Sequence, residues 1–299
     1  PRRHIPVFRT SVNRSIVRWN DAFTLWQKWH EIFTDPLNSE REIDARAFYD
    51  EHDREMTAGS EVLWSAREDY YALMVLRCIT GDHAFWCEKQ NDPTQSGVYL
   101  FDLDLAGFFT WELDHIRLDD GRQIPLSIIT DVVAGWDPAL GESGAKGDFS
   151  ACVVLGWAEA YNLYFILDVF IEQQMAMEEQ LPRIAQMLYQ WDVQHVGLET
   201  QGFQSLITGQ LRQALTTVAA AEGGTWAVPP IEEVRQTRGQ AKPVRISTLQ
   251  APIHNKRLLF NRALPGAYML QFAEYIPLST AGHDDGPDAM EGCVRLLRQ

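Results

Sequence analysis

The apolar positions of the first 90 residues recur with helical spacing. In Ser15–Phe33 they lie three or four residues apart, which places large aromatic side chains on one face of a helix. The charged segment Ser39–Asp53 is weakly amphipathic, and Ala66–Ile79 is a third helical segment that ends near Gly81. The pattern therefore predicts a helical N-terminal segment over residues 1–95, which ends at the polar turn Thr94–Gly97.

The period changes after this turn. Ile128–Trp136 is apolar and rich in β-branched residues, which is typical of a buried strand. Two more strands, in a hairpin or meander, are predicted at Phe149–Gly156 and Tyr161–Val169. The remaining predicted elements are helices at Glu172–Trp191, Gln204–Ala221 and Asp285–Leu297, and short strands at Val193–Leu198, Leu258–Phe260 and Tyr268–Leu270. Residues 96–299 are therefore predicted to form an α/β domain with a mixed central sheet flanked by helices. The pattern assigns no role to Phe101–Gln123, which would form an extra strand pair or cover a sheet edge.

Composition excludes several classes of protein. The chain has 299 residues, of which 45% are hydrophobic and 22% charged, so it can bury a core and is not a disordered chain. It contains no run of about 18 apolar residues, so we expect no membrane-spanning helix. The four cysteines form no CxxC pair, which argues against a zinc ribbon or a disulfide framework and favours a reducing compartment.

Charge is distributed unevenly along the chain. The formal net charge is -15, which argues against polyanion binding by bulk charge. Val234–Ala273, however, contains no acidic residue and seven basic ones, which leaves the rest of the chain near -22. This stretch is either a local phosphate-binding face or an ordinary surface that pairs with acidic groups elsewhere, and charge alone does not choose between the two.

Acidic residues stand at the ends of three predicted elements. Asp137 directly follows a buried strand, Glu199 follows another, and Asp284 and Asp285 open the last helix, with Asp288 one turn later. Such positions can converge at one rim of a sheet, where divalent cations such as Mg²⁺ or Mn²⁺ would hold several carboxylates together. Taken singly, each has an ordinary interpretation: a turn residue before proline, an exposed strand end, or a helix N-cap.

Five segments, in order, resemble the nuclease region of tailed-phage large terminases. WDPALGESGAKGDFSACVVL at 136–155 resembles its first motif, LETQGF at 198–203 its second and HDDGPDA at 283–289 its third. KPVRI at 242–246 is similar to a Lys-x-x-Arg-Ile stretch of the family, and residues 62–93 look like the segment that joins the packaging ATPase to the nuclease. The resemblance extends over about residues 60–299, and the combination is more specific than any single motif.

The resemblance implies an RNase H-like fold and metal-dependent cleavage of double-stranded DNA with low sequence specificity. Asp137, Glu199 and Asp284 would be the catalytic, metal-binding triad, and Asp148, Asp285 and Asp288 would be supporting metal-binding carboxylates for two Mg²⁺ or Mn²⁺ ions. His283 would support the site by positioning a water or a product oxygen, although a capping or packing role suits it equally. The DNA-binding residues would be Arg238, Lys242, Arg245, Lys256 and Arg257.

The family implies a viral setting as well. The enzyme would cut DNA concatemers during bacteriophage genome packaging, in the host cytoplasm and transiently at the procapsid portal, with the portal protein and the small terminase subunit as partners. Residues 1–95 would be the tail or linker of the packaging ATPase. The chain starts with Pro1 and contains no GxxxxGK[ST] loop, so we expect a fragment without ATPase activity.

Two alternatives stay open at this point. One is another RNase H-like nuclease, such as a junction resolvase or a transposase-type enzyme, although the motor-like segment at 62–93 argues against it. The other is a docking module for the portal or the small terminase subunit with weak nuclease activity.

Overall fold

A computed structural model describes residues 13–92, 99–139, 149–199, 204–224, 226–234, 241–277, 279 and 282–297. The chain divides into two compact units. Unit 1 comprises Pro1–Phe33 and Glu42–Gly97, and unit 2 comprises Thr34–Arg41 and Val98–Gln299. Within the described residues, every helix is too short or too polar to cross a lipid bilayer.

Unit 1 is mainly helical, as the spacing of its apolar residues predicts. Its core is aromatic: Trp29 is buried and stacks on Phe33 with 4.8 Å between ring centroids, and Trp26 donates a hydrogen bond from its indole Nε1 to the carbonyl of Met56. It also contains a small antiparallel pair of strands that the pattern did not predict, with Ile16 opposite Val62. The elements are β1 (Ile16–Arg18), α1 (Phe23–Phe33), α2 (Arg41–Thr57), β2 (Glu61–Val62), α3 (Tyr70–Thr80) and α4 (Asp82–Glu88).

Unit 2 is built on a nine-stranded mixed sheet. Its strands are β3 (Gly107–Glu112), β4 (His115–Leu118), β5 (Gln123–Pro125), β6 (Asp131–Asp137), β7 (Phe149–Ala158), β8 (Leu163–Gln173), β9 (His195–Glu199), β10 (Ile231–Val234) and β11 (Leu258–Asn261). Their order across the sheet is β10-β9-β6-β7-β8-β11-β3-β4-β5. The strands β6, β7 and β8 form an antiparallel meander, and β9 and β10 add to it in parallel with β6.

Helices cover both faces of this sheet. The helices α5 (Met177–Gln190) and α6 (Gln204–Ala221) bury apolar residues against one face. The other face packs against α7 (Lys242–Ser247), α8 (Gln250–His254), α9 (Gly266–Ala273) and α10 (Asp285–Leu296). Neighbouring residues of β7 therefore pack on opposite faces of the sheet. Cys152 belongs to the core beneath α5 and α6, and Val153 belongs to the core beneath α7 to α10. Burial on both faces explains why β7 is a continuous apolar run rather than an alternating one.

The sequence pattern misassigned one element of unit 2. Tyr268–Leu270, predicted as a strand, lies in the helix α9. Tyr268 and Phe272 are both fully buried and lie one helical turn apart, so α9 buries one face by helical rather than strand periodicity. Pro265 caps its N-terminus, which places the helix start just before the supposed strand.

The segment without an assigned role extends the sheet. Residues 107–125 form the antiparallel strands β3, β4 and β5, and β3 pairs in parallel with β11. Since β11 also pairs with β8, it joins this three-stranded extension to the central meander. The outermost strand has three residues and ends in Pro125, which leaves a short edge.

Candidate metal centre

Two carboxylates end neighbouring parallel strands. In the register of β6 and β9, Trp136 lies opposite Leu198, so Asp137 and Glu199 both follow the last matched pair. Because the strands run in the same direction, the two side chains leave the sheet at the same rim. Both residues are half-buried.

A third carboxylate comes from α10, which packs across β6 and β7. A side chain at Gly135 would obstruct this packing, since a β-carbon there would lie 2.6 Å from the carbonyl oxygen of Ala289. The close approach brings Asp288, which is 1% exposed, to the rim. One oxygen each from Asp137, Glu199 and Asp288 lies within 4.8 Å of the other two.

Burial and the repulsion of neighbouring carboxylates raise the proton affinity of Asp137 and Asp288. The pKa of Asp137 rises to about 8, first because the carboxyl is buried and then because Glu199 is close, while Lys242 opposes the rise. The pKa of Asp288 is raised as well, again mainly by burial. In the absence of a cation, the site therefore favours a protonated Asp137 near neutral pH.

This donor set fits a hard divalent cation. Three converging carboxylates supply only oxygen ligands, which are the ligands that Mg²⁺ and Mn²⁺ prefer. A divalent ion would also neutralise the repulsion that raises the pKa of Asp137. Asp137, Glu199 and Asp288 are therefore the residues that would hold the metal.

The other acidic residues of the third motif lie around this cluster. Asp284, predicted as the third member of the triad, precedes α10 and forms an ion pair with Lys242 at 2.7 Å between Oδ1 and Nζ. Asp285 is buried and accepts a hydrogen bond from the backbone N–H of Phe149 at 3.2 Å. Nδ1 of His283 lies 3.7 Å from Asp285 Oδ2, and its ring packs edge-on against Phe149. The geometry thus places Asp288, rather than Asp284 or Asp285, beside Asp137 and Glu199.

The two basic residues of KPVRI point into the cluster. Lys242 Nζ lies 3.2 Å from Asp288 Oδ2. Arg245 pairs with Asp288 Oδ1 at 3.0 Å and with Glu291 Oε2 at 2.7 Å, and its side chain is 3% exposed. A phosphate contact needs a surface guanidinium, so the buried position of Arg245 differs from the DNA-facing one predicted for it. The absence of acidic residues from Val234–Ala273, the acid-free stretch, had suggested that Arg245 is exposed. Nothing in the local sequence signals that Arg245 pairs with Glu291.

Of the remaining predicted residues, the structure describes only two. Lys256 is exposed and Arg257 is half-buried, near the start of β11. Asp148 and Arg238 lie outside the residues that the structure describes. The DNA-binding roles of Lys256 and Arg257 stay predictions.

A family profile decides the classification of the chain. The profile described as "Terminase RNaseH-like domain" matches residues 134–293, which include all three clustered carboxylates. The chain belongs to this family. The RNase H-like fold implied by the five sequence segments is thereby confirmed.

Several solved structures similar to this terminase RNaseH-like domain are nuclease domains of phage large terminases. The large terminase nuclease of the thermophilic phage G20c, with bound zinc, is 14% identical and has a TM-score of 0.43, with 66% of this chain and 97% of that chain covered. The nuclease domain of the P22 large terminase is 14% identical at a TM-score of 0.41, covering 58% and 90%. The Mn-bound nuclease domain from bacteriophage SPP1 is 10% identical at 0.38, covering 56% and 87%. No curated protein sequence matches the chain.

The stability of the metal-free terminase domain should fall as the pH rises. A carboxyl whose pKa is raised on folding stabilises the protein most below its unfolded pKa, near 4, and this contribution is lost as the pH rises toward about 8. The slope for one such group is at most about 1.4 kcal/mol per pH unit. We expect thermal unfolding in EDTA to show a smaller decline between pH 5 and pH 9 for Asp137→Asn than for the wild type. Equal slopes for the two proteins would contradict the raised pKa.

Replacing Gly135 with alanine should separate α10 from β6. The added methyl group would lie within 2.8 Å of Cys293 Sγ as well as close to the carbonyl of Ala289, so the helix must move. Overpacking of this kind costs about 1–3 kcal/mol of unfolding free energy. Denaturant unfolding measures the loss, with Gly209→Ala as the control, because a β-carbon at Gly209 meets no atom within 4 Å. Equal stability of the two variants would contradict the close packing.

Proposed function

We propose that this chain is a metal-dependent endonuclease that cuts double-stranded DNA concatemers during viral genome packaging. The observation that carries the proposal is the convergence of Asp137, Glu199 and Asp288 on one point at the rim of an RNase H-like sheet. Membership in the terminase RNaseH-like domain family supports the same activity. The proposed cofactors are two Mg²⁺ or Mn²⁺ ions.

The proposed chemistry is hydrolysis of a phosphodiester bond. Bound divalent cations lower the pKa of a water molecule and stabilise charge on the leaving oxygen. The chain's own contribution is to orient the three carboxylates: β6 and β9 fix Asp137 and Glu199, and α10 fixes Asp288. Arg245 holds Asp288 through its Oδ1, and the backbone N–H of Phe149 holds Asp285. No side chain needs to form a covalent intermediate.

Low sequence specificity follows from the kind of contact proposed. We assign two basic residues that the structure describes, Lys256 and Arg257, to contacts with the DNA backbone. Contacts with phosphates carry no information on the base sequence. The acidic remainder of the chain makes isolated binding weak and dependent on salt. As part of the proposal, the portal protein and the small terminase subunit would position the enzyme on DNA, in the host cytoplasm and transiently at the procapsid portal. Residues 1–95 would be the tail or linker of the packaging ATPase.

Plasmid cleavage tests the proposed function. We expect the full chain to convert supercoiled plasmid to linear and smaller products with Mn²⁺ or Mg²⁺, and to leave it intact with EDTA. A plain linear duplex should be cut as well, whereas a resolvase would require a branched junction. Absence of cleavage with either metal, in a folded protein whose melting temperature Mn²⁺ does not change, would overturn the proposal and favour a docking module.

A further inference from the structure

Both oxygens of the Asp288 carboxylate are engaged by cationic side chains. Oδ1 lies 3.0 Å from Arg245, and Oδ2 lies 3.2 Å from Lys242 Nζ. The same ammonium lies 2.7 Å from Asp284 Oδ1. Lys242 therefore sits between two carboxylates of the third motif, at the edge of the cluster that would hold a metal.

We propose that Lys242 is an internal cation of the centre, which a divalent ion displaces from Asp288 when it binds. The inference rests on the proposed function, since it requires that a divalent ion binds at Asp137, Glu199 and Asp288. It assigns Lys242 a role in controlling metal binding rather than a direct role in the chemistry.

The contacts of Lys242 and Arg245 indicate which of the two side chains leaves Asp288 when a metal ion binds. An ion that takes an oxygen of Asp288 competes with one of two partners. Arg245 is 3% exposed and is also bound to Glu291 at 2.7 Å, so its departure would leave that second buried carboxylate with only the longer contact to Arg295, at 3.8 Å. Lys242 is 29% exposed, carries its charge on a flexible stem and can extend into water. The lysine is therefore the partner that moves.

Lys242 is the first residue of α7, and its side chain reaches the cluster from the end of that helix. Its charge also acts on Asp137 and lowers the pKa of that carboxyl, in opposition to burial. The ammonium thus partly compensates the cluster in the absence of metal, and a bound divalent ion would make that compensation unnecessary.

The first test measures the affinity of the full chain for Mn²⁺ by calorimetry, without DNA. We expect Lys242→Gln to bind Mn²⁺ about fivefold to tenfold more tightly than the wild type, because no ammonium has to be removed. Lys89→Gln is the matched control: Lys89 is also in an ion pair, with Glu68, and its side chain is 28% exposed, but it lies in unit 1. We expect the control to bind like the wild type.

The second test follows the amine of Lys242 in the wild-type protein, so it does not depend on the folding of a variant. The chain is treated with an amine-acetylating reagent with and without Mn²⁺, and modification of each lysine is measured by mass spectrometry. Displacement should increase acetylation of Lys242 severalfold with Mn²⁺ and leave that of Lys89 unchanged. A lysine that only repels the metal from a fixed position would show no increase.

The outcomes separate this inference from the proposed function. Tighter binding by Lys242→Gln together with increased acetylation supports it. Equal or weaker binding by the variant, or unchanged acetylation, overturns the displacement and leaves the nuclease proposal standing. If neither the wild type nor the variant binds Mn²⁺, both the metal centre and the role of Lys242 are overturned.

Discussion

Asp137→Asn should abolish metal-dependent cleavage and raise the thermal stability of the metal-free protein. Loss of residues that merely orient a metal ligand reduces activity by about 10–100-fold, so loss of a direct carboxylate ligand should exceed the upper end of that range. The gain in stability has a separate cause. Burial and the neighbouring Glu199 make ionised Asp137 unfavourable, with a pKa of about 8, and an amide carries no charge.

The two effects are measured on the same samples. Plasmid cleavage with Mn²⁺ gives the activity, and thermal unfolding in EDTA at pH 9 gives the stability, where each kcal/mol corresponds to about 2–4 °C. Asp131→Asn is the control, because Asp131 is at the opposite end of the same strand and accepts a hydrogen bond from Thr130. A variant at Asp137 that still cleaves DNA, or that melts below the wild type in EDTA, would contradict the assignment.

Arg245→Ala should produce the largest loss of stability. The guanidinium lies between Asp288 and Glu291, and all three residues are less than one-tenth exposed. Removing it leaves two buried carboxylates without this partner, which costs about 3–5 kcal/mol of unfolding free energy. Since Asp288 belongs to the carboxylate cluster, we also expect weaker binding of Mn²⁺.

Arg117→Ala provides the matched comparison for this variant. Arg117 also donates to a carboxylate, that of Glu112, but the two side chains are 46% and 39% exposed. Exposed ion pairs contribute little to the free energy of unfolding, because water and salt screen the two charges. Denaturant unfolding should therefore show a much larger loss of stability for Arg245→Ala than for Arg117→Ala. Losses of similar size would show that burial does not determine the importance of Arg245.

Two members of the metal centre were predictable from the order of elements. Asp137 and Glu199 each follow a buried apolar strand, and the structure pairs these strands in parallel. A strand pattern and a charged residue just beyond it suffice for such a prediction. The third carboxylate of the cluster was harder to predict, because Asp284, Asp285 and Asp288 all lie at the start of the same helix. The sequence does not state how that helix is rotated against the sheet.

The basic stretch shows a different limit. The absence of acidic neighbours in sequence suggested exposed cations, yet Arg245 is buried against residues more than forty positions away. Partners at that distance arise from the packing of α7 against α10, which no local pattern encodes. The same reason explains the error at Tyr268–Leu270, where tertiary burial of one helical face outweighed the β-propensity of an aromatic residue.

The position of α10 affects the order in which the carboxylate cluster assembles. This helix follows every other element of unit 2 along the chain, yet it packs on β6 and β7, which come from the early part of that unit. Contacts so distant in sequence form late, since the chain between them must first be ordered. A nascent chain that has completed β9 holds Asp137 and Glu199 but lacks Asp288, so the carboxylate cluster stays incomplete until α10 has been synthesised. The topology thereby delays assembly of the proposed metal centre until every other element of unit 2 has been made.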